Sequence, residues 1–158
     1  MWCSDVDMHS HSTHSDGTLE VRDLAASMAR QGVRVWSLTD HDTTAGWKEA
    51  ASEAERHGMT FLPGVELTCA PALRPDDDAA REGSWHLLAY FPDARDEPKM
   101  DELRAWIAGL TESRGPRMSR MIERLATFGI HVEEANVLAR ADGAVGRPHL
   151  AAELLDMG

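Results

Sequence analysis

Along roughly the first ninety residues, short apolar runs alternate with stretches in which apolar positions recur every three or four residues. Val6 to Met8 is the first run and can end a buried strand. Thr18 can then cap a helix from about Leu19 to Gln31, with Leu24, Ala25 and Met28 on one face and Gly32 as its stop. The β-branched and aromatic run "VRVWSL" predicts a second strand, "TFLPGVEL" a third and "WHLLAYF" a fourth. A helix over about Ala45 to His57, closed by Gly58, separates the second from the third. The polar stretch 70–84 reads as a loop. Strands alternating with amphipathic helices predict parallel βα units, and such folds carry their sites where the strands end.

The pattern changes after Pro92. Met100–Gly109 and Met118–Phe128 read as helices broken by "SRGP", and "RPHLAAELLDMG" begins another with Gly158 at its stop. This places a boundary near residue 93, between an α/β part (1–92) and a helical part (93–158). No internal repeat or low-complexity tract interrupts either part.

Composition adds limits rather than elements. An apolar share of 42% and a charged share of 27% are those of a globular chain. A net charge of −11 argues against duplex binding through a broad basic surface, so anionic substrates would need local cations. Two cysteines, Cys3 and Cys69, make neither a disulfide framework nor a CxxC zinc pattern, and both read as reduced, buried small residues. "MWCSDVD" lacks the regions of a signal peptide and no apolar run is long enough to span a membrane, so the cytoplasm is the expected location.

Candidate chemistry then falls on the strand ends. "DMHSHSTHSDG" places Asp7, His9 and His11 on one face of an extended segment, where two imidazoles can take one metal. A polar strand end would look the same in isolation. Repetition favours the metal reading: Asp16 follows in a Ser-Asp-Gly turn, His41 ends the second strand, Glu66 ends the third and His86 lies within the fourth. Mixed His and carboxylate donors suit Zn²⁺, Mn²⁺ or Fe²⁺ better than Ca²⁺ or Mg²⁺ alone. Six donors exceed what one ion with open positions needs, so a cluster of two or three divalent ions is expected, with Glu66 a natural bridge. Asp7, Asp40 and Asp42 flank these residues and either orient imidazoles through their second nitrogen or act as turn and cap residues.

In order, spacing and strand-end placement, "DMHSHSTHSDGT", "LTDHDT", "GVELT" and "WHLLAYF" resemble the successive motifs of the PHP (polymerase and histidinol phosphatase) superfamily. The helical part, with "GRPHLA", resembles the insertion of the TrpH-like branch of nucleotide phosphoesterases. The resemblance implies an α/β fold, a distorted (β/α)₇ barrel of which this chain holds the first strands, with a helical insertion and a trinuclear site. His9, His11 and Glu66 would match one metal's ligands, Glu66 and His86 a second's, and Asp16 with His41 a third's. His14 falls at a variable position; His57 and His131 lie outside the motifs and read as structural. Arg147 and His149, at a helix start, are candidates to hold a substrate phosphate or to make surface contacts.

The family's later His-Pro and Gly-Ser-Asp-x-His motifs are not in this sequence, so each metal would lack one ligand. The chain is therefore expected to be an N-terminal half, its open edge closed by a C-terminal half or by a dimer. The implied activity is metal-dependent phosphoesterase hydrolysis by a water that the cations activate, with Mn²⁺ foremost. Implied substrates are 3',5'-bisphosphonucleotides (a phosphatase) or the 5' ends of short RNA (an exonuclease). The alternatives are a non-catalytic PHP accessory module, a histidinol-phosphatase-like phosphomonoesterase, and a C–N hydrolase. The last usually carries a carbamylated lysine, whereas Lys48 and Lys99 lie away from strand ends.

Overall fold

A computed structural model describes residues 5–69, 85–92, 97–112 and 114–158. Its first half builds a three-stranded parallel sheet from β1 (Val6–Asp7), β2 (Val35–Trp36) and β3 (Thr60–Phe61), in that order, with Val6 opposite Val35 and Val35 opposite Thr60. Helices α1 (Val21–Arg30) and α2 (Trp47–Arg56) are the crossovers. Burial of Val21, Leu24, Ala25 and Met28 gives α1 the i, i+3, i+4, i+7 stripe expected of it. That stripe packs on Trp36 and Leu38 and, across the groove between the helices, on Ala50 and Ala54. The cap differs from expectation. Glu20, not Thr18, is the residue before the first turn, and its side chain makes no capping bond. The far end behaves as read: Gly32 has φ +80°, and the N–H groups of Gly32 and Val33 return to Ala29 and Met28. Gly58 ends α2 in the same way.

The segment "TFLPGVEL" is two strands rather than one. Pro63 has no N–H to donate and restricts Leu62, so β3 stops at Phe61 and β4 (Gly64–Cys69) begins a new pairing. β4 pairs with β5 (Trp85–Tyr90), and the pair is antiparallel, which corrects the expectation of parallel units throughout. The connecting loop read at 70–84 lies outside the described residues, as does Cys3. Cys69 is free but only partly buried. A parallel bridge between His41 and Glu66 joins the two sheets. Among the described residues the strands do not close into a barrel.

Helices α3 (Glu97–Glu112), α4 (Arg114–Ala126), α5 (Glu134–Ala139) and α6 (Arg147–Met157) follow. α3 is tied to the sheet: Met100 and Ile107 share one apolar cluster with Trp47, Val65 and Leu67. The other three helices enclose a cluster of their own around Met118, Val137, Val145 and Leu150. The junction of the two helices falls at "SRGP" as read, since α3 ends at Glu112, but the motif's Arg114, Gly115 and Pro116 already belong to α4. Pro116 sits in the first turn of α4, where its missing N–H has no partner to lose, so α4 starts at Arg114. α5 was not expected; six residues are too few for a periodicity to show. No described helix is long and apolar enough to cross a membrane.

Candidate metal centre

Three buried hydroxyls and one carboxylate shape the loop that follows β1. Asp40, 2% exposed, accepts hydrogen bonds from the Ser12 N–H at 2.7 Å, the Ser12 hydroxyl at 2.7 Å and the Ser15 hydroxyl at 2.7 Å. The Ser10 hydroxyl donates to the Ser37 carbonyl at 2.9 Å while accepting from the Trp36 indole at 2.9 Å. Asp7 accepts from the His9 N–H at 3.1 Å. These bonds fix the loop backbone, so His9 and His11 project from a rigid base.

Glu66 occupies the centre. Its side chain is only 5% exposed, at mid-β4, and its two oxygens face different histidines. Oε2 lies 2.9 Å from His9 Nε2 and 3.0 Å from His11 Nε2, while Oε1 lies 2.6 Å from His86 Nδ1. His86 reaches it because Thr68, two residues on from Glu66, is its cross-strand partner, which sets the two side chains diagonally on one face. His41 arrives by the parallel bridge, with Nδ1 3.7 Å from Glu66 Oε2 and Nε2 3.5 Å from Asp16 Oδ2. Asp16 Oδ1 is 3.3 Å from His11 Nδ1. All six residues singled out in the sequence thus meet, as three overlapping groups of three: His9, His11 and Glu66; His11, Asp16 and His41; His41, Glu66 and His86. Within each group the donor atoms lie within 4.8 Å of one another.

The donor set fits divalent metal ions. His9 Nε2, His11 Nε2 and Glu66 Oε2 form a triangle with edges of 3.0, 2.9 and 3.0 Å. Adjacent ligands around an octahedral ion, each at about 2.1 Å, stand about 3.0 Å apart. Two imidazole nitrogens that close also share one proton at most, so a cation satisfies both lone pairs better. His41 Nδ1 is buried and has no hydrogen-bond partner, an unsatisfied donor atom facing the Glu66 carboxylate. Burial pushes the His41 imidazole pKa down against the pull of Asp16 and Glu66, with Arg114 and His11 adding to the fall, which favours the neutral, ligating form. Burial alone would raise the Glu66 pKa. Hydrogen bonds from His9 and His86 and the proximity of His41 and His11 outweigh it, and the carboxyl is held below its ordinary value.

The flanking aspartates lie beside the cluster, but the bonds they accept come from backbone, hydroxyl and guanidinium groups rather than imidazoles. Asp42 accepts from the Thr68 N–H at 2.7 Å and from Arg114 Nε at 2.7 Å. Arg147 lines a solvent-open cleft together with Asp16, His41, His86, Arg114 and Arg117. His149 is not among the residues lining it: its Nδ1 accepts the Gly146 N–H at 3.0 Å and caps α6. Burial, then the neighbouring Arg147 and Arg114, pushes the Arg117 pKa down, a sign of cations gathered in one place. Sequence reasoning missed Arg114 and Arg117. Their three-residue spacing places both on one helix face, a signal hidden while "SRGP" reads as a break. His14 marks the meeting of loop and helices: its carbonyl accepts the Ala144 N–H at 3.2 Å, and Gly143 passes so close that a Cβ there would stand 2.2 Å from the same oxygen. His57 is the C-cap of α2 and His131 is exposed.

A 5'-3' exoribonuclease of Haemophilus influenzae is 34% identical over 152 residues, covering 96% of this chain and 51% of that protein. A 3',5'-nucleoside bisphosphate phosphatase of Chromobacterium violaceum is 30% identical over 169 residues, covering 98% of this chain and 50% of that protein. The solved structure of an amidohydrolase from Chromobacterium violaceum, with bound sulfate and no metal, superposes with a TM-score of 0.74 at 31% identity, over 98% of this chain and 50% of that one. The chain thus spans about half the length of the curated relatives it matches. The family model of the PHP domain matches residues 7–136, and with the histidine and carboxylate motifs meeting at one rim, this chain belongs to the PHP domain family.

Proposed function

We propose that the chain carries the metal-binding half of a phosphoesterase that hydrolyses nucleotide phosphoesters, either 3',5'-bisphosphonucleotides or the 5' ends of short RNA. The observation that carries this reading is Glu66, one buried carboxylate facing three histidines from two segments, His9 and His11 after β1 and His86 on β5. His9, His11 and Glu66 would hold one ion, Glu66 and His86 a second, Asp16 and His41 a third; Mn²⁺ is favoured, with Zn²⁺ and Fe²⁺ as alternatives. Divalent ions held there would supply Lewis acidity toward water and toward the phosphoryl oxygens. The chain's own residues bind and orient. Arg147 and Arg117 line the cleft beside the cluster and are placed to take a substrate phosphate. His149 supports Arg147 by capping the helix that carries it. Both relatives named above act on nucleotides or RNA by name, and their greater length supports a full site, with a barrel of PHP type, assembled from more strands than those described here.

The test is metal content followed by turnover. Elemental analysis of the purified chain after Mn²⁺ loading should find bound metal, and 3',5'-bisphosphoadenosine should release phosphate in a reaction that chelation stops. A chain that retains no transition metal under any loading condition overturns the proposal. A chain that binds metal yet turns over substrate only when joined to the rest of a PHP barrel supports it.

A further inference from the structure

Arg114 stands outside every motif the metal reading uses, yet its guanidinium touches three parts of the site's frame. Nε and Nη2 lie 2.7 Å and 2.5 Å from Asp42 Oδ2, Nη2 also donates to the Thr68 hydroxyl at 2.7 Å, and Nη1 donates to the Val145 carbonyl at 3.3 Å. Its side chain is 11% exposed and that of Asp42 1%. Asp42 follows His41 directly and has φ +49°, a left-handed conformation that a non-glycine residue keeps only when its surroundings impose it. Those surroundings can be named. The Asp42 N–H donates to the Glu66 carbonyl at 3.0 Å, Oδ1 accepts from the Thr68 N–H at 2.7 Å, its carbonyl accepts from the Thr111 hydroxyl at 2.5 Å, and Oδ2 is met by Arg114. The first two bonds tie the His41 turn to the strand bearing Glu66. The last two come from α3 and α4, which carry no metal-type donor of the cluster.

We propose that Arg114 is a positioning residue for the metal cluster: by bracing Asp42 and Thr68 together it fixes the His41 turn against the Glu66 strand, so that docking of the helical segment and loading of the cations are coupled. The inference rests on the metal reading above and adds to it a residue of the helical segment. The reason for an arginine is geometric. Only a planar fork reaches a carboxylate, a hydroxyl and a carbonyl at once; a lysine supplies the charge that the buried Asp42 requires but not the three directions. Coupling is reciprocal, so cations that hold His41 and Glu66 also hold the helical segment.

The test compares the parent chain with Arg114→Lys and, as a control, Arg104→Met on the exposed face of α3. Mn²⁺ affinity is measured by electron paramagnetic resonance, the Co²⁺-loaded forms are compared by visible absorption, and thermal unfolding confirms that each variant is folded. Arg114→Lys should fold yet bind Mn²⁺ roughly ten- to a hundredfold more weakly, the usual effect of losing a group that orients a ligand, and should shift the Co²⁺ bands. Arg104→Met should match the parent. A folded Arg114→Lys with parental Mn²⁺ affinity and Co²⁺ spectrum overturns this inference alone. A parent that binds no metal overturns the metal reading and this inference with it. Should Arg114→Lys fail to fold, Thr68→Val removes one of the three contacts, and an unshifted Co²⁺ spectrum in that variant overturns the proposal.

Discussion

Glu66 and Asp40 are both buried carboxylates with several partners, and the partners separate their roles. Those of Glu66 are imidazole nitrogens, which a cation can replace; those of Asp40 are hydroxyls and a backbone N–H, which donate permanently. Glu66→Gln, which keeps shape and removes charge, should weaken metal uptake by more than the roughly 100-fold that an outer change can cost, as read by elemental analysis. His57→Ala, at the helix end, should leave uptake unchanged. Asp40→Ala should instead cost about 2–4 kcal/mol of stability, measured by urea unfolding, because three donors lose their acceptor. The six donors were legible in the sequence because HxH and the short motifs depend only on local spacing, although Glu66 lies within β4 and His41 lies beyond the end of β2 rather than at strand ends. The flanking aspartates were legible only as alternatives, partners of imidazoles or turn and cap residues. Asp7 and Asp42 flank the imidazoles in sequence, yet side-chain direction turns them toward backbone and guanidinium groups.

Helices were read to within two residues wherever an apolar stripe and a closing glycine agreed, as for α1 and α2. Elements defined by pairing were less legible. β1, β2 and β3 fall inside the apolar runs read as strands, but at two residues each their bounds could not be read, and the direction of β5 depends on its neighbour β4 rather than on its own residues. Two outcomes belong to this scale. Met118, 1% exposed between α4, α5 and α6, should cost about 2–5 kcal/mol when changed to Ala, with amide exchange accelerating in those helices and not in α1. Glu153 on α6 accepts from Asn136 on α5 and from Arg140, and these bonds hold its carboxyl below the ordinary 4.5. A carboxylate depressed in the folded state contributes stability above that ordinary value and loses it as pH falls through the folded one. The urea midpoint should therefore drop as pH falls below 4.5, and Glu153→Gln should flatten that drop.

At the scale of the molecule, a chain of net charge −11 gathers Arg114, Arg117 and Arg147 beside its densest group of histidines and carboxylates. Sequence could not reveal this, since the arginines come from two helices separated by a further one, α5, and meet only when α4 and α6 enclose their own cluster. Arg117→Met should raise KM for 3',5'-bisphosphoadenosine about tenfold while leaving kcat nearly unchanged, the mark of an anion contact made equally in ground and transition states. Steady-state kinetics of a metal-loaded enzyme checks it. One contact between the helical segment and the loop after β1 is steric as well as hydrogen-bonded. The loop before α6 lies on the His14 carbonyl with no room for a single methyl at Gly143. Alanine there would act as a wedge under the roof while every donor below keeps its identity, so cover and chemistry can be altered separately.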